Sequence, residues 1–259
     1  MKKNWALILG GSSGLGLATA KKLARHGFHI IVIHRDRRAD MEAINSEFDE
    51  ITSYGGLFKA FNVDALQKNK RIAVINDVID SLPIDHKISV MVHSIAKGNL
   101  KPMYAEGQDT LTDQDLKITL EAMALSLYEW TKALVNVNLF AADVRIISFT
   151  SEGNSRSLPN YAAVSLAKVA LESLTRSIAL EFAPLGIKAN CIQAGITLTK
   201  SFEMIPGHQK NKADALKRNP NNRLTIPQDI ANAVYLLTMD EAKWITGTVI
   251  KVDGGESLR

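Results

Sequence analysis

The sequence predicts an α/β fold, a single doubly wound Rossmann-type domain with a seven-stranded parallel sheet. Short β-branched runs alternate with longer segments of helical period along the whole chain. The short runs are almost continuously apolar, as expected for strands that are covered on both faces of a parallel sheet. No linker, repeat or low-complexity tract divides the 259 residues, so residues 1–259 are expected to form one domain.

The elements follow in a regular order. The predicted strands are residues 5–9, 28–33, 57–62, 88–93, 144–150, 188–193 and 248–252. The predicted helices are residues 15–26, 41–51, 72–82, 116–140, 161–182 and 228–237. In the second helix, for example, Met41, Ile44, Phe48 and Ile51 recur every three or four residues, which places them on one face.

Composition excludes several classes of protein. With 46% hydrophobic and 22% charged residues, the chain can bury a substantial core and is not expected to be disordered. No apolar run approaches the roughly 20 residues of a membrane-spanning helix, and the short N-terminal run leads into glycines like a strand rather than a signal peptide. The single Cys191 cannot form an internal disulfide, which fits a cytoplasmic protein. A net charge of +4 is too small to indicate nucleic-acid binding.

A glycine-rich turn joins the first strand to the first helix. Its glycines, Gly10, Gly14 and Gly16, have the spacing G-x3-G-x-G. Glycines at such a turn let the backbone approach a pyrophosphate that lies against the helix N-terminus. The turn therefore predicts a dinucleotide site formed by the residues Gly10, Ser12, Ser13, Gly14, Leu15 and Gly16.

Charged residues at the end of the second strand bear on which dinucleotide binds. An acid at this position accepts the ribose 2′-hydroxyl of NAD, whereas an arginine favours the 2′-phosphate of NADP. His34 occupies the strand end and Arg35 follows it, so the sequence favours NADPH, with Arg37 or Arg38 as further candidates to pair with the 2′-phosphate. NADH is the alternative, because the Asp36 carboxylate could accept a hydrogen bond from the ribose 2′-hydroxyl if the loop is shifted by one residue.

From the glycine turn to the sequence Val-Asp-Gly-Gly at 252–255, the whole chain resembles the short-chain dehydrogenase/reductase family. Within that family it is most similar to bacterial enoyl-acyl-carrier-protein reductases. Three segments carry this narrower resemblance: the His-Ser-Ile sequence within residues 92–96, the spacing of Tyr161 and Lys168, and residues 187–199. In most of the family a tyrosine stands four residues before the lysine, whereas Val164 stands there in this chain.

The resemblance implies a role for each matched residue. Tyr161, Lys168 and Ser151 form the expected catalytic set, with Lys168 also holding the nicotinamide ribose. Asn62 and Val63 match the positions that meet the adenine, although Asp64 beside them is an alternative or a helix cap. His93 is not expected to act as a general acid. The remaining expected cofactor contacts are Ser94, Ile95, Ala96, Gly195, Ile196, Thr197 and Thr199.

The tyrosine spacing has a chemical meaning. Moving a helical residue back by three shifts it by about 4.5 Å along nearly the same face. A ketoreductase needs its phenol at the carbonyl that receives the proton. An enoyl reductase instead delivers hydride to the β-carbon and stabilises an enolate on the more distant thioester oxygen. Tyr161 is therefore placed for an enoyl thioester, and Val164 cannot supply a proton to a ketone.

Three positions depart from the family pattern. Ser151 stands ten residues before Tyr161, where many enoyl reductases have a second tyrosine and the ketoreductases have a serine; it either donates a hydrogen bond to substrate or caps the adjoining loop. Ile196 replaces the usual proline after Gly195, which makes its backbone N–H available. The family's helix asparagine is absent, with Ala124 and Ser126 nearby, and its loss weakens a ketoreductase assignment.

Residues 196–223 match a segment that forms a lid over the substrate in this family. Phe202, Met204 and Ile205 would line an acyl chain. The segment is locally basic, and an acidic acyl carrier protein would be attracted to it. Its basic residues are Lys200, Lys210, Lys212, Lys217, Arg218 and Arg223. A mobile surface hairpin of two short helices is equally compatible with the sequence.

Three functional hypotheses follow. The leading one is an NADPH-dependent reductase of enoyl thioesters in fatty acid synthesis. A carbonyl reductase that acts on 3-oxoacyl thioesters or other ketones is the alternative within enzymes, and a non-catalytic NADP-binding regulator is the alternative outside them. The resemblance also implies a homotetramer. No cluster of His, Cys and Asp has the spacing of a metal site, and neither nucleic acid nor membrane is an expected partner.

Overall fold

The computed structural model describes residues 4–107 and 109–259. All seven strands pair in parallel in one sheet, in the order β3-β2-β1-β4-β5-β6-β7. The fold class predicted from the sequence is therefore confirmed. The strands are β1 (Trp5–Leu9), β2 (His29–His34), β3 (Phe58–Asn62), β4 (Ile88–His93), β5 (Phe140–Ser151), β6 (Ile187–Ala194) and β7 (Val249–Val252).

Helices cover both faces of the sheet. They are α1 (Gly14–Arg25), α2 (Met41–Ser53), α3 (Lys68–Ser81), α4 (Asp113–Leu120), α5 (Ser126–Asn136), α6 (Ala162–Glu181), α7 (Lys200–Glu203), α8 (His208–Arg218) and α9 (Pro227–Thr238). A single π turn, Glu121–Leu125, joins α4 to α5. None of the helices in the described ranges combines the length and the apolar character that crossing a membrane requires.

The hydrophobic core lies in two layers, one on each face of the sheet. Alternate residues of β1 divide between them: Leu7 packs in the layer with Trp130 of α5 and Leu171 of α6, and Ile8 packs in the layer with Leu23 of α1. Every residue of β1, β2 and β4 is buried. Such two-sided burial explains why these strands read as continuous apolar runs rather than as alternating ones.

The long helix predicted for residues 116–140 extends too far. Helix α5 ends at Asn136, and Phe140 is already the first residue of β5. The chain turns from α5 into β5 at Asn138, whose φ of +51° lies in the left-handed region that asparagine tolerates better than most residues. The apolar residues that follow helical spacing into Phe140 therefore belong to two elements.

Strand register brings the loops of the site together. Leu9 at the end of β1 is paired with Ile33 on one side and His93 on the other. Ser151 at the end of β5 is paired with Ala194 at the end of β6. Since all these strands are parallel, the loops that follow them leave the same edge of the sheet.

Candidate active site

A cleft of about 1050 Å³ opens at the carboxyl ends of the strands. The strand order reverses between β1 and β4, and ligands of open α/β sheets bind at such a reversal. Two of the predicted site residues, Gly16 and Asn62, do not line this cleft. The predicted residues that do line it are Gly10, Ser12, Ser13, Gly14, Leu15, Arg35, Val63, Ser94, Ile95, Ala96, Ser151, Tyr161, Lys168, Gly195, Ile196, Thr197 and Thr199.

The glycine turn is closely packed on both sides. Gly10 has a φ of +83°, and a Cβ there would lie 2.6 Å from the carbonyl oxygen of Ser94. A Cβ on Gly16 would lie 2.1 Å from the Gly10 carbonyl oxygen, so Gly16 supports the turn from behind instead of facing the cleft. Helix α1 begins at Gly14 with no side-chain cap. Its first N–H groups and positive dipole end are left for a phosphate, so this turn fits a dinucleotide.

The end of β2 carries a polar network. His34 Nδ1 lies 2.8 Å from an Asp36 carboxylate oxygen, and Arg35 Nη1 donates to Asp64 at 2.9 Å. The Arg35 side chain is 62% exposed and borders the cleft, so Asp64 holds it at the rim without burying it. Asp64 also accepts the Leu66 N–H at 3.0 Å, in a turn that precedes α3. Both Arg35 and Asp36 therefore remain beside the expected ribose position.

Asn62 has a structural task within the same network. Its side-chain oxygen accepts the Asp36 N–H at 3.0 Å, and its side-chain nitrogen donates to the Asp36 carbonyl at 3.1 Å. These two bonds fix the loop after β2 against the end of β3. The contact of Asn62 with adenine stays a prediction, whereas its neighbour Val63 does line the cleft.

Tyr161 and Ser151 meet inside the cleft. Tyr161 immediately precedes α6 and is 9% exposed, and its hydroxyl lies 3.2 Å from the Ser151 Oγ. Burial raises the pKa of the Tyr161 phenol, and the Ser151 hydrogen bond opposes this only in part. The phenol is therefore protonated at neutral pH and can donate a hydrogen bond to a developing oxyanion.

Lys168 is buried at the floor of the cleft, seven residues or about two helical turns after Tyr161. Its Nζ donates to the Phe149 carbonyl oxygen at 2.6 Å. Burial lowers the pKa of Lys168 to about 8, although the charges of Cys191 and Glu172 act in the opposite direction. Lys168 is thus mostly protonated at neutral pH and supplies positive potential to the floor of the site.

His93, the last residue of β4, also borders the cleft but is neutral. Its Nε2 lies 2.7 Å from the Ser126 Oγ, and its Nδ1 has no hydrogen-bond partner among the described residues. Burial, together with the positive charge of Lys168, lowers the pKa of His93 to about 3. An imidazole that is neutral at pH 7 has no proton of the required acidity to give.

Residues 195–199, here called the β6 loop, follow β6. The sequence predicts that the backbone N–H of Ile196 in this loop is available, and the structure differs. The Ile196 N–H is not available to a ligand, because it donates to a carboxylate oxygen of Glu256 at 3.0 Å. Burial raises the pKa of Glu256, while the Ile196 N–H and Arg218 lower it. Glu256 lies 60 residues further along the chain, directly after the Val-Asp-Gly-Gly sequence at 252–255. Sequence reasoning missed it because no local pattern links it to Ile196.

The substrate side of the cleft is apolar. Tyr161 and Val164 pack in one cluster with Ala122 and Met123 from the π turn. Leu100, Leu158 and Ile205 lie against this cluster and also line the cleft. In residues 196–223, here called the lid segment, Phe202 is buried and Met204 is 72% exposed. The apolar lining thus combines residues from the π turn, α6 and the lid segment.

The lid segment, residues 196–223, contains α7 and α8, and two of its basic residues are paired with acids. Arg218 is held by Glu152 and Glu256, and Arg223 makes two hydrogen bonds to Asp229. These two arginines therefore already have acidic partners in this chain. Within the described residues, no group of three or more His, Cys, Asp or Glu side chains is arranged to hold a metal ion.

The fold and the site together define a dinucleotide-binding oxidoreductase domain. The family model described as Enoyl-(Acyl carrier protein) reductase matches residues 10–257. The chain belongs to this branch of the short-chain dehydrogenase/reductase family, and it is an oxidoreductase.

Individual relatives cover nearly the whole chain. 1-Cyclohexenylcarbonyl-CoA reductase of Streptomyces collinus is 29% identical over 99% of this chain and 88% of its own. Human dehydrogenase/reductase SDR family member 4 is 27% identical over 98% of this chain and 87% of its own. The crystal structure of the NADH enoyl-[acyl-carrier-protein] reductase of Aquifex aeolicus matches with a TM-score of 0.84 at 24% identity, over 99% of this chain and 97% of that one, which supports the fold.

Proposed function

We propose that this protein is an NADPH-dependent reductase of trans-2-enoyl thioesters. The observation that carries the proposal is the position of its phenol. Tyr161 precedes α6 and is the phenol of the apolar cluster, whereas Val164, at the position of the ketoreductase tyrosine, is buried and apolar in the same cluster. A proton donor at Tyr161 suits the thioester oxygen. In an enoyl thioester this oxygen lies farther from the carbon that accepts the hydride than the oxygen of a ketone does, because a ketone accepts hydride at its carbonyl carbon.

The cleft residues fit NADPH. The glycine turn and the α1 N-terminus would hold the pyrophosphate, Arg35 the 2′-phosphate, and Lys168 the nicotinamide ribose. NADPH, when bound, supplies the hydride. Arg35 favours NADPH over NADH because its guanidinium is exposed at the rim and its partner Asp64 leaves other N–H groups unused.

The protein's own contribution is electrostatic. The Tyr161 phenol donates a hydrogen bond to the thioester oxygen as negative charge develops there, and Ser151 holds that phenol in place. Lys168 adds positive potential from the buried side. The apolar cluster around Val164 and Met123 excludes water, which strengthens both effects by lowering the local dielectric constant.

Similarity to a relative supports the substrate class. The Streptomyces collinus relative is named for reduction of 1-cyclohexenylcarbonyl-CoA, a thioester whose alkene adjoins its carbonyl. The matching family model is likewise described by an enoyl thioester activity. As part of the same proposal, the chain works in fatty acid synthesis in the cytoplasm as a homotetramer. Exposed apolar residues on α6, including Leu166, Val169 and Leu180, support self-association.

An acyl carrier protein is the proposed bearer of the thioester. Lys200 lines the cleft, and Lys210, Lys212 and Lys217 lie on the neighbouring α8. These side chains would attract an acidic carrier. A lower KM for the carrier-bound thioester than for the CoA thioester, with a difference that shrinks as salt rises, would support this part of the proposal.

One observation favours carbonyl reduction as a second candidate. The Ser151 hydroxyl contacts the Tyr161 hydroxyl, and the ketoreductases have a serine at the position of Ser151. In that case the serine and tyrosine would together bind the oxygen of a reacting ketone.

Side-by-side assays separate these candidates. NADPH oxidation is measured with crotonyl and acetoacetyl thioesters under the same conditions. We expect turnover of the crotonyl thioester and little or none of the acetoacetyl thioester. Efficient reduction of acetoacetyl thioester alone would establish the carbonyl reductase, and tight NADPH binding with no turnover of either substrate would favour a regulator.

A further inference from the structure

Glu256 ties the β6 loop to the C-terminal turn. Its side chain is 2% exposed in the turn Glu256–Leu258, which follows β7. One carboxylate oxygen accepts the Ile196 N–H at 3.0 Å, and a Cβ on Gly195 would lie 2.9 Å from the same oxygen. The loop backbone therefore packs directly on this carboxylate.

The Ile196 N–H needs this acceptor. Pairing between β6 and β7 ends at Ala194 and Val252, so no strand carbonyl is opposite Ile196. An isoleucine keeps the backbone N–H that a proline at this position would lack. An unsatisfied N–H in a partly buried loop is costly, and Glu256 satisfies it.

Arg218 in turn holds Glu256. The guanidinium donates to the Glu256 carbonyl at 3.0 Å and to its second carboxylate oxygen at 3.2 Å. Two further bonds, of 3.0 and 2.9 Å, reach both carboxylate oxygens of Glu152, the residue after Ser151. Arg218 is the last residue of α8, so one side chain connects the lid segment, the C-terminal turn and the loop after β5.

We propose that Glu256 is a positioning residue for the cofactor, which keeps the β6 loop in its binding conformation by accepting the Ile196 N–H. Arg218 fixes the orientation of the Glu256 carboxylate. The proposal rests on the proposed function only in that the cleft binds NAD(P)H, and it is independent of the substrate. It differs from a purely stabilising ion cluster, which would affect unfolding without a specific effect on the cofactor.

The test is a double-mutant cycle between Glu256 and Ile196, read by the fluorescence of bound NADPH. Glu256→Ala should raise the Kd for NADPH about tenfold, as expected when a buried N–H loses its partner. Glu256→Gln should weaken NADPH binding less than Glu256→Ala does, because its amide oxygen can still accept the Ile196 N–H, although its NH2 group then faces Arg218 in place of the second carboxylate oxygen. In an Ile196→Pro background the Glu256→Ala effect should fall below about threefold, since no N–H remains to be satisfied.

Matched controls keep the test decisive. Glu241→Ala removes an exposed glutamate and should leave the Kd unchanged. If Glu256→Ala does not fold, as judged by thermal melting, Glu256→Asp replaces it; its shorter side chain keeps the charge but cannot reach the Ile196 N–H. The cycle is then repeated with that variant.

The outcomes separate this proposal from the proposed function. Equal effects of Glu256→Ala in both backgrounds, a Glu256→Gln variant as weak as Glu256→Ala, or an unchanged Kd in a folded variant would each overturn the positioning role. If the wild type binds NADPH but reduces no enoyl thioester, the substrate assignment fails while the cycle remains valid. If the wild type binds neither NADPH nor NADH, both proposals fail.

Discussion

The hydroxyl groups of Ser151 and Tyr161 lie 3.2 Å apart although the residues come from different elements. Ser151 ends β5, and Tyr161 immediately precedes α6. Gly153 lies between them in sequence and packs against the phenol ring, since a Cβ there would be 2.5 Å from Tyr161 Cε1. The sheet edge, the turn and the helix start thus fix the direction of the phenol before any substrate binds.

Removing the phenol hydroxyl tests its role. We expect Tyr161→Phe to lower kcat for an enoyl thioester by about a factor of 100, the range for one lost transition-state donor. Ser151→Ala should have a smaller effect, because it removes only the residue that orients the phenol. Steady-state kinetics with crotonyl thioester measure both. A Ser151→Ala loss as large as that of Tyr161→Phe would mean that Ser151 contacts the substrate itself.

Lys168 is expected to contribute to cofactor binding as well as turnover. Lys168→Ala removes a charge-assisted hydrogen bond of about 1.5–3 kcal/mol, so the Kd for NADPH should rise roughly ten- to 150-fold. Fluorescence titration of the folded variant measures this. Unchanged affinity would show that Lys168 does not hold the ribose.

The lowered pKa of Lys168 predicts a pH dependence. Because burial lowers this pKa to about 8, the charge is lost as the pH rises through that value, and NADPH affinity should fall there. Stability should change in the opposite direction. Between about 8 and the usual 10.5 the unfolded chain binds the extra proton, so deprotonation favours the folded state as the pH rises. Titration of Kd and of the unfolding free energy over this window checks both signs; an affinity that is flat from pH 7 to 9.5 would contradict the first.

Cofactor preference should depend on Arg35. Arg35→Ala is expected to weaken the binding of NADPH by about tenfold or more and to leave the affinity for NADH almost unchanged, since only NADPH carries the 2′-phosphate. Arg38→Ala is the matched control, because Arg38 carries the same charge but does not line the cleft. Affinities for both nucleotides are compared in each variant. A wild type that prefers NADH would instead assign the ribose contact to Asp36.

Neutral His93 should make the fold sensitive to mild acid. Its pKa is about 3 in the folded protein against a usual 6.5, so the unfolded chain binds the extra proton as the pH falls below 6.5. This linkage should lower the unfolding free energy by about 2 kcal/mol between pH 7 and pH 5. Denaturant unfolding at both pH values measures it, and His93→Gln should remove most of the difference. The same loss in the variant would assign the acid sensitivity to other groups.

Much of the fold could be predicted from the sequence because its signals are local. The continuous apolar runs of β1 and β4 indicate strands that are buried on two faces. The glycines of the first turn indicate a close approach of two backbone segments. Each of these signals lies within a few neighbouring residues. The spacing of Tyr161 and Lys168 is equally local, since Tyr161 immediately precedes α6 and Lys168 lies within the same helix. The helix prediction is wrong at Phe140, because this apolar residue continues the helical spacing and only the left-handed Asn138 separates α5 from β5.

Contacts between distant residues required the tertiary structure. The sequence determined the single α/β domain, the dinucleotide turn and the pairing of a tyrosine with a lysine. Only the fold brought Glu256 to the Ile196 N–H and Arg218 to Glu152, because these pairs are 60 and 66 residues apart and no periodicity links them. The same is true of the neutral state of His93, whose low pKa arises from burial among elements that meet only after the sheet is assembled.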